Sequence, residues 1–281
     1  VCYQISQPAA SQRWQELAKR GDTRLIFDID DAMWAPDWAP FQRYYTPEVV
    51  DRMMRNAYVA HVVTTSSYVI AEHMAKINPN VHFVPYTMPA YLLDIVPTKH
   101  PTGARRMGFG GSASHDEDFG DYEKSYMLKF LADNRGWDWH FIGKAKHEIA
   151  GWPKHRAHAH AWTDHRQTYY RNVATMDAMM APLRPTLFNR CKSALRFLED
   201  SALGVATIAE YLDPYFGYLS HNVNGFYVGG PDGFPDWPTA LAEVARSTVD
   251  RVRCAATARQ DAAAWTTEAQ IQRWTDAFNS V

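Results

Sequence analysis

The chain has 281 residues, 46% of them hydrophobic and 21% charged, with a formal net charge of −2. That length suits one large domain or two ordinary ones, and the balance excludes a global electrostatic footprint for nucleic acid or membrane. Three cysteines (Cys2, Cys191 and Cys254) form no CxxC pair and no metal-ligand spacing, which points to a reducing, cytoplasmic setting rather than a disulfide framework. No apolar run reaches the ~18 residues that a membrane span needs. The start, Val1-Cys2-Tyr3, has no signal-peptide pattern and no initiator Met, so the chain is expected to begin partway into a longer protein. Aromatic residues reach 14%, with ten tryptophans, and most are expected to fill cores.

In chain order, Arg24 to Ile29 reads as a buried strand that ends in Asp30-Asp31. Pro47 to Tyr58 reads as a helix, with Thr46 as its cap and proline in its first turn. Ala60 to Thr64 is the next strand, Ser67 to Ile77 a helix, and Val81 to Pro85 a third strand. This rhythm predicts a parallel sheet with helices on its faces. Pro89 to Arg106 carries three prolines and a glycine without a periodic run, and reads as a linker.

A second alternating series follows. Arg106 to Phe109 is a strand leading into Gly110-Gly111-Ser112, Tyr122 to Asn134 a helix, and Trp137 to Ile142 a strand ending at Gly143. Lys144 to Arg166 is basic and histidine-rich and reads as a solvated loop. His158 and His160 flank one residue, but without a strong third ligand they predict no metal site. The loop could also meet a phosphate backbone. Gln167 to Val173 is a helix, Ala178 to Ala181 a strand, Lys192 to Ala202 a helix, Val205 to Ala209 a strand and Gly225 to Val228 a strand. Ala240 to Ala264 and Glu268 to Phe278 are terminal helices.

Ligands of parallel sheets sit beyond the carboxyl ends of strands. The glycines at 110 and 111 let backbone N–H groups approach an anion, or simply make a tight turn. His115 can bond a phosphate or sugar hydroxyl. Asp116 and Glu117 read as an acidic helix start. In Pro182-Leu183 to Phe188-Asn189 and Lys192-Ser193, a lysine and hydroxyls can hold a diphosphate. Glu199 can accept two ribose hydroxyls, or pair on the surface with Arg196 three residues away. Asp28-x-Asp30-Asp31 suits a divalent cation or a cap.

The stretch PLRPTLFNRCKSALRFLEDSALGVATIAE resembles the donor-site segment of GT4-type (group 1) glycosyltransferases of GT-B fold. MGFGGSASHDEDF and WHFIG resemble the first two strands of that domain, and NGFYV a late one. LIFDIDDAMW and VVTTSSYVIAEHM resemble parts of the acceptor-side domain. The resemblance implies two Rossmann-like domains with parallel sheets facing across a cleft, the first shortened. They would be an acceptor domain over 1–95, a linker over 96–105, a nucleotide-sugar domain over 106–264, and a helix over 265–281 crossing back.

It further implies transfer of a sugar, with retention, from a UDP- or GDP-sugar to a glycan, protein or modified DNA base. No metal or other cofactor is expected. Gly110, Gly111, Ser112, His115, Gly143, Pro182, Leu183, Phe188, Asn189, Lys192, Ser193 and Glu199 would bind donor, and Asp30, Asp31 and Lys192 would be catalytic. Cys191 stands where many members carry a second glutamate, which weakens the case for retention. Two alternatives stay open: a catalytically degenerate GT-B module that binds a glycan or partner, and a nucleotide-sugar epimerase. Truncation, an N-terminal segment not seen, and a compact, virus-like version would each account for the short first domain.

Overall fold

The computed structural model describes residues 1–35, 42–98, 103–112, 115, 118–143 and 151–281. Two compact units emerge. The first comprises Val1–Tyr86, Pro185–Ser193 and Glu268–Val281, and the second Thr87–Arg184 and Ala194–Thr267.

The first unit holds a four-stranded sheet in the order β1 (Cys2–Tyr3), β2 (Ile26–Ile29), β3 (Val62–Thr65) and β4 (Val81–Phe83), all parallel. Strand β3 is buried throughout, as a parallel strand covered on both faces must be. Helix Pro47–Tyr58 lies where expected, with Thr46 in the extended backbone of an N-cap and Pro47 in its first turn. Helix Pro8–Arg20 and β1 had no sequence expectation. Trp14 of that helix donates from its indole to the Asn56 carbonyl at 3.0 Å. The Asn56 amide in turn donates to Ile5 O at 2.9 Å and Ser11 Oγ at 2.7 Å. Removing that buried amide would orphan its partners, so the N-terminal segment depends on it. In the last helix, Thr267–Asn279, Ala277 and Trp274 pack with Ile26, Val62 and Val84.

The second unit is built on six parallel strands: β5 (Arg105–Gly111), β6 (Trp137–Gly143), β7 (Ala157–Ala161), β8 (Ala178–Ala181), β9 (Ala206–Glu210) and β10 (Phe226–Val228). Their order is β10-β9-β8-β5-β6-β7. Strands β5, β6 and β7 step outward one way and β8, β9 and β10 the other, which is the doubly wound arrangement with a switch point between β5 and β8. Alternation along the strands separates two cores. Trp139, Phe141 and Met180 join Phe119, Trp152 and Trp237 on one face. Ile142, Met179 and Ala181 join Phe197, Leu198 and Leu203 on the other. The Trp139 and Trp152 rings stack at 5.6 Å, so these tryptophans are core, as expected.

Three expectations need correcting. Part of the expected loop 144–166 is strand β7, whose Ala-His-Ala-His-Ala alternation is the period of a strand. Lys144, Lys146, His147 and Glu148 of that loop lie outside the described residues. The expected helix Ala240–Ala264 is two helices, Trp237–Arg246 and Thr248–Ala262, parted by Ser247, whose hydroxyl caps the second by accepting from Asp250 N. Within the expected linker stretch from Pro89, residues Ala90–Asp94 form a 3-10 turn whose Leu92 is buried in the second unit's core with Met88.

Strands β5 and β6 end side by side, with Gly111 paired to Gly143. Gly143 has φ +128°, and a Cβ there would stand 2.2 Å from the Gly111 carbonyl oxygen. Both facts demand glycine. Gly143→Ala is expected to lower unfolding free energy by about 1–3 kcal/mol, the scale of forced backbone strain, read from urea denaturation midpoints.

Candidate functional site

In the second unit the carboxyl ends of β5 and β8 meet the switch point. Strand β5 finishes on Gly110-Gly111 with Ser112 after it, and β8 runs into Pro182-Leu183. Asp118 is buried and links the two ends: its Oδ2 lies 3.0 Å from His115 Nδ1, and its Oδ1 accepts from Arg184 N at 3.1 Å. His115 is thereby fixed against Gly111, where a Cβ would come within 3.1 Å of its own Cβ. Asp116 and Glu117 lie outside the described residues.

Behind Gly110 stands Arg196. A Cβ on Gly110 would come 3.1 Å from Arg196 Nη1, and the guanidinium lies 5.9 Å over the Phe109 ring. Nη1 is buried with no hydrogen-bond partner. Burial works against this charge, while Tyr169, Tyr215, Asp200 and Glu199 hold it. A buried guanidinium with an unmade hydrogen bond is costly unless an anion meets it.

Glu199 and Asp200 follow on the helix Leu195–Ala202. Burial raises the Glu199 carboxyl above its ordinary range, and the Tyr170 hydroxyl, which donates to Oε1 at 3.0 Å, opposes that shift. Glu199 is thus buried and accepts from Tyr170, which does not fit the alternative of an exposed surface pair with Arg196. Asp200 is fully buried. Burial pushes its carboxyl up to about 8 against the pull of Arg196, and Thr207 Oγ1 donates to Oδ2 at 3.3 Å.

The remaining expected residues sit in the first unit. Asp30, just past β2, accepts from Tyr3 Oη at 2.6 Å, from Gln4 Nε2 at 2.6 Å and from Tyr86 Oη. Asp28 accepts from Thr64 Oγ1 at 2.6 Å. These carboxylates are committed to hydrogen bonds, and they are not among the described groups placed to hold a metal. Asp31 is different: burial and then the Asp30 charge raise its carboxyl to about 6, with Lys192 pulling the other way.

Lys192 and Ser193 were expected to open a helix of the second domain. They fall in the first unit with Phe188 and Asn189, and the helix begins only at Leu195. The physical reason is apolar anchoring. Phe188 and fully buried Cys191 belong to the core of Phe27, Ile29 and Ile70. Thr186 caps the short turn Leu187–Arg190 by accepting from Asn189 N at 3.2 Å. Lys192 Nζ lies 5.4 Å from the Phe188 ring centroid. The expected set therefore separates. Gly110, Gly111, Ser112, His115, Gly143, Pro182, Leu183 and Glu199 are in the second unit, and Asp30, Asp31, Phe188, Asn189, Lys192 and Ser193 in the first.

Sequence reasoning missed Arg196 as a site residue. Its spacing from Glu199 was visible, but its place behind Gly110 depends on β5 packing against that helix.

Two Rossmann-like parallel α/β units define the GT-B fold class. The whole chain is similar in fold to several solved structures of that class. HepE of Anabaena in complex with UDP matches with a TM-score of 0.72 at 13% identity, over 99% of this chain and 78% of that one. Sucrose-phosphate synthase of Thermosynechococcus elongatus matches with 0.73 at 11% identity, over 96% and 71%. WaaG, a glycosyltransferase involved in lipopolysaccharide biosynthesis, matches with 0.64 at 13% identity, over 97% and 82%. No protein-family model matches the sequence, and no curated protein matches it. No helix among the described residues is long and apolar enough to cross a membrane.

The raised Asp31 carboxyl couples folding to pH. Its folded value, about 6, exceeds the ordinary 3.8, so its contribution to stability is present at low pH and is lost as pH rises through 6. Between pH 5 and pH 8 this group should cost on the order of 1–2 kcal/mol of unfolding free energy. Asp31→Asn should lose correspondingly less across that interval, as measured by urea unfolding at both pH values.

Proposed function

We propose that this chain is a glycosyltransferase that moves a sugar from a UDP- or GDP-sugar to an acceptor hydroxyl. The observation that carries the reading is Arg196. It is a buried cation with an unpartnered N–H beside a glycine at the switch point of a doubly wound sheet. A nucleoside diphosphate is the anion this geometry suits, because glycine permits close approach and the guanidinium supplies directed donors. Glu199, three residues on, offers carboxylate oxygens to a ribose. Solved structures of the same fold include HepE bound to UDP-glucose.

In this reading Gly110, Gly111, Ser112 and His115 surround the phosphates, with Gly143, Pro182 and Leu183 shaping the same end of the sheet. Asp31 receives the acceptor proton. A carboxyl held near 6 is matched to that task at neutral pH better than an ordinary aspartate. Asp30 orients the segment through its three donors. Lys192 offsets the negative charge of Asp31. The Phe188 ring lies beneath the Lys192 ammonium and the Asn189 carbonyl accepts from Lys192 N at 3.1 Å. The acceptor is a glycan, a protein or a modified nucleic acid base.

A second reading, a nucleotide-sugar-binding module without turnover, is favoured by Cys191. That position is core, so the second glutamate common in the resembling family has no counterpart there.

A thermal-shift series with UDP-glucose, UDP-N-acetylglucosamine and GDP-mannose tests the reading. One of the three should raise the melting temperature in proportion to the logarithm of its concentration. Arg196→Ala and Glu199→Ala should each weaken that binding by roughly 1.5–3 kcal/mol, the scale of a hydrogen bond to a charged group. If none of the nucleotide sugars binds the intact protein, the reading fails. Binding without donor hydrolysis or transfer would select the module.

A further inference from the structure

The parallel pairing of β6 and β7 gathers four polar side chains on one face of the larger sheet's edge. Asp138 and His140 are two residues apart on β6, so they share a face, and His158 and His160 do the same on β7. In the register His140 lies directly beside His158. The alternate residue Ala157 faces the aromatic core on the other side.

One ligand atom from each of Asp138, His140 and His158 lies within 4.8 Å of the others. His158 Nε2 is 3.8 Å from Asp138 Oδ2, and the His140 and His158 rings stack at 4.7 Å. His140 is only 3% exposed. Its Nδ1 sits 2.9 Å from His160 Nε2, whereas its Nε2 is buried and has no hydrogen-bond partner. A buried imidazole nitrogen is normally paired. One neighbour fixing the first ring nitrogen while the second stays unpaired is the arrangement that orients a metal-binding histidine.

The donor set, two imidazoles and one carboxylate, is the one zinc takes. Opposing the ion are two cations. Arg106 is near the rings, and Arg156 Nε approaches Asp138 Oδ1 at 3.9 Å. That long, half-buried ion pair is weak beside a metal–carboxylate bond. Ligand atoms of a tetrahedral zinc site stand about 3.4 Å apart for bonds of roughly 2.1 Å. The exposed His158 side chain, 43% accessible, has the freedom to close the remaining gap.

We propose that Asp138, His140 and His158 bind one divalent transition metal of the zinc class, with His160 orienting His140. The ion would fasten the outermost strand β7 to β6. The site lies away from the switch point between β5 and β8, and it stands independently of the glycosyltransferase reading.

The test uses the full chain, stripped with chelator and titrated with Zn²⁺ by calorimetry and with Co²⁺ by visible absorption. The expected result is one equivalent bound with micromolar or tighter affinity and a tetrahedral Co²⁺ band. His158→Ala and Asp138→Asn should each weaken binding at least tenfold and abolish the band. His160→Ala should weaken it about 10–100-fold, as loss of an orienting partner does, and His82→Ala should leave it unchanged. Because His158 is exposed, its variant tests the site even where His140→Ala fails to fold. Absence of stoichiometric binding, or wild-type affinity in His158→Ala, would overturn the proposal.

Discussion

Strand β5 runs through the middle of the larger sheet with no side chain at 108, 110 and 111. A Cβ on Gly108 would stand 2.4 Å from Met179 Sδ, one on Gly110 would crowd Arg196, and one on Gly111 would crowd His115. Each missing methyl admits a specific neighbour. The first lets β8 pack alongside, the second lets a guanidinium reach the sheet's carboxyl edge, and the third brings the His115–Asp118 pair against the backbone. The switch point, the buried charge and the turn at Arg184 all follow from that one bare strand.

Much of the fold was legible because parallel strands buried on both faces read as apolar runs, and because the helices between them carry caps and prolines. Helix Pro47–Tyr58 and strand Ala178–Ala181 were read to the residue. Strand β7 was missed because charge and histidine content outweighed a period-two pattern in plain view. The break at Ser247 was missed because helical periodicity continues across it, and only a capping hydroxyl marks the restart. Helix Pro8–Arg20 has the left-handed glycine stop at Gly21 and basic last turn of an ordinary helix, signals that went unread.

The candidate site was legible in its residue types and less so in their placement. Gly110, Gly111 and Gly143 sit at the strand ends, while Glu199 lies on the helix Leu195–Ala202. Lys192 does not stay with them, because Phe188 and Cys191 just before it are drawn into another hydrophobic core. Side-chain burial decides such placements, and it depends on contacts distant in sequence. Arg196 and the Asp138–His140–His158 group illustrate the same limit: each is assembled by strand and helix neighbours that no local pattern encodes.

The first unit is composed of three separated stretches of chain. Trp274 and Ala277, which cover Ile26, Val62 and Val84, leave the ribosome only after the entire second unit has been made. Until then one face of the β1–β4 sheet is an exposed apolar surface of the kind that recruits chaperones or aggregates. Synthesis order thus imposes a folding order. The second unit can close first, and the β1–β4 sheet, although translated before it, is completed after it.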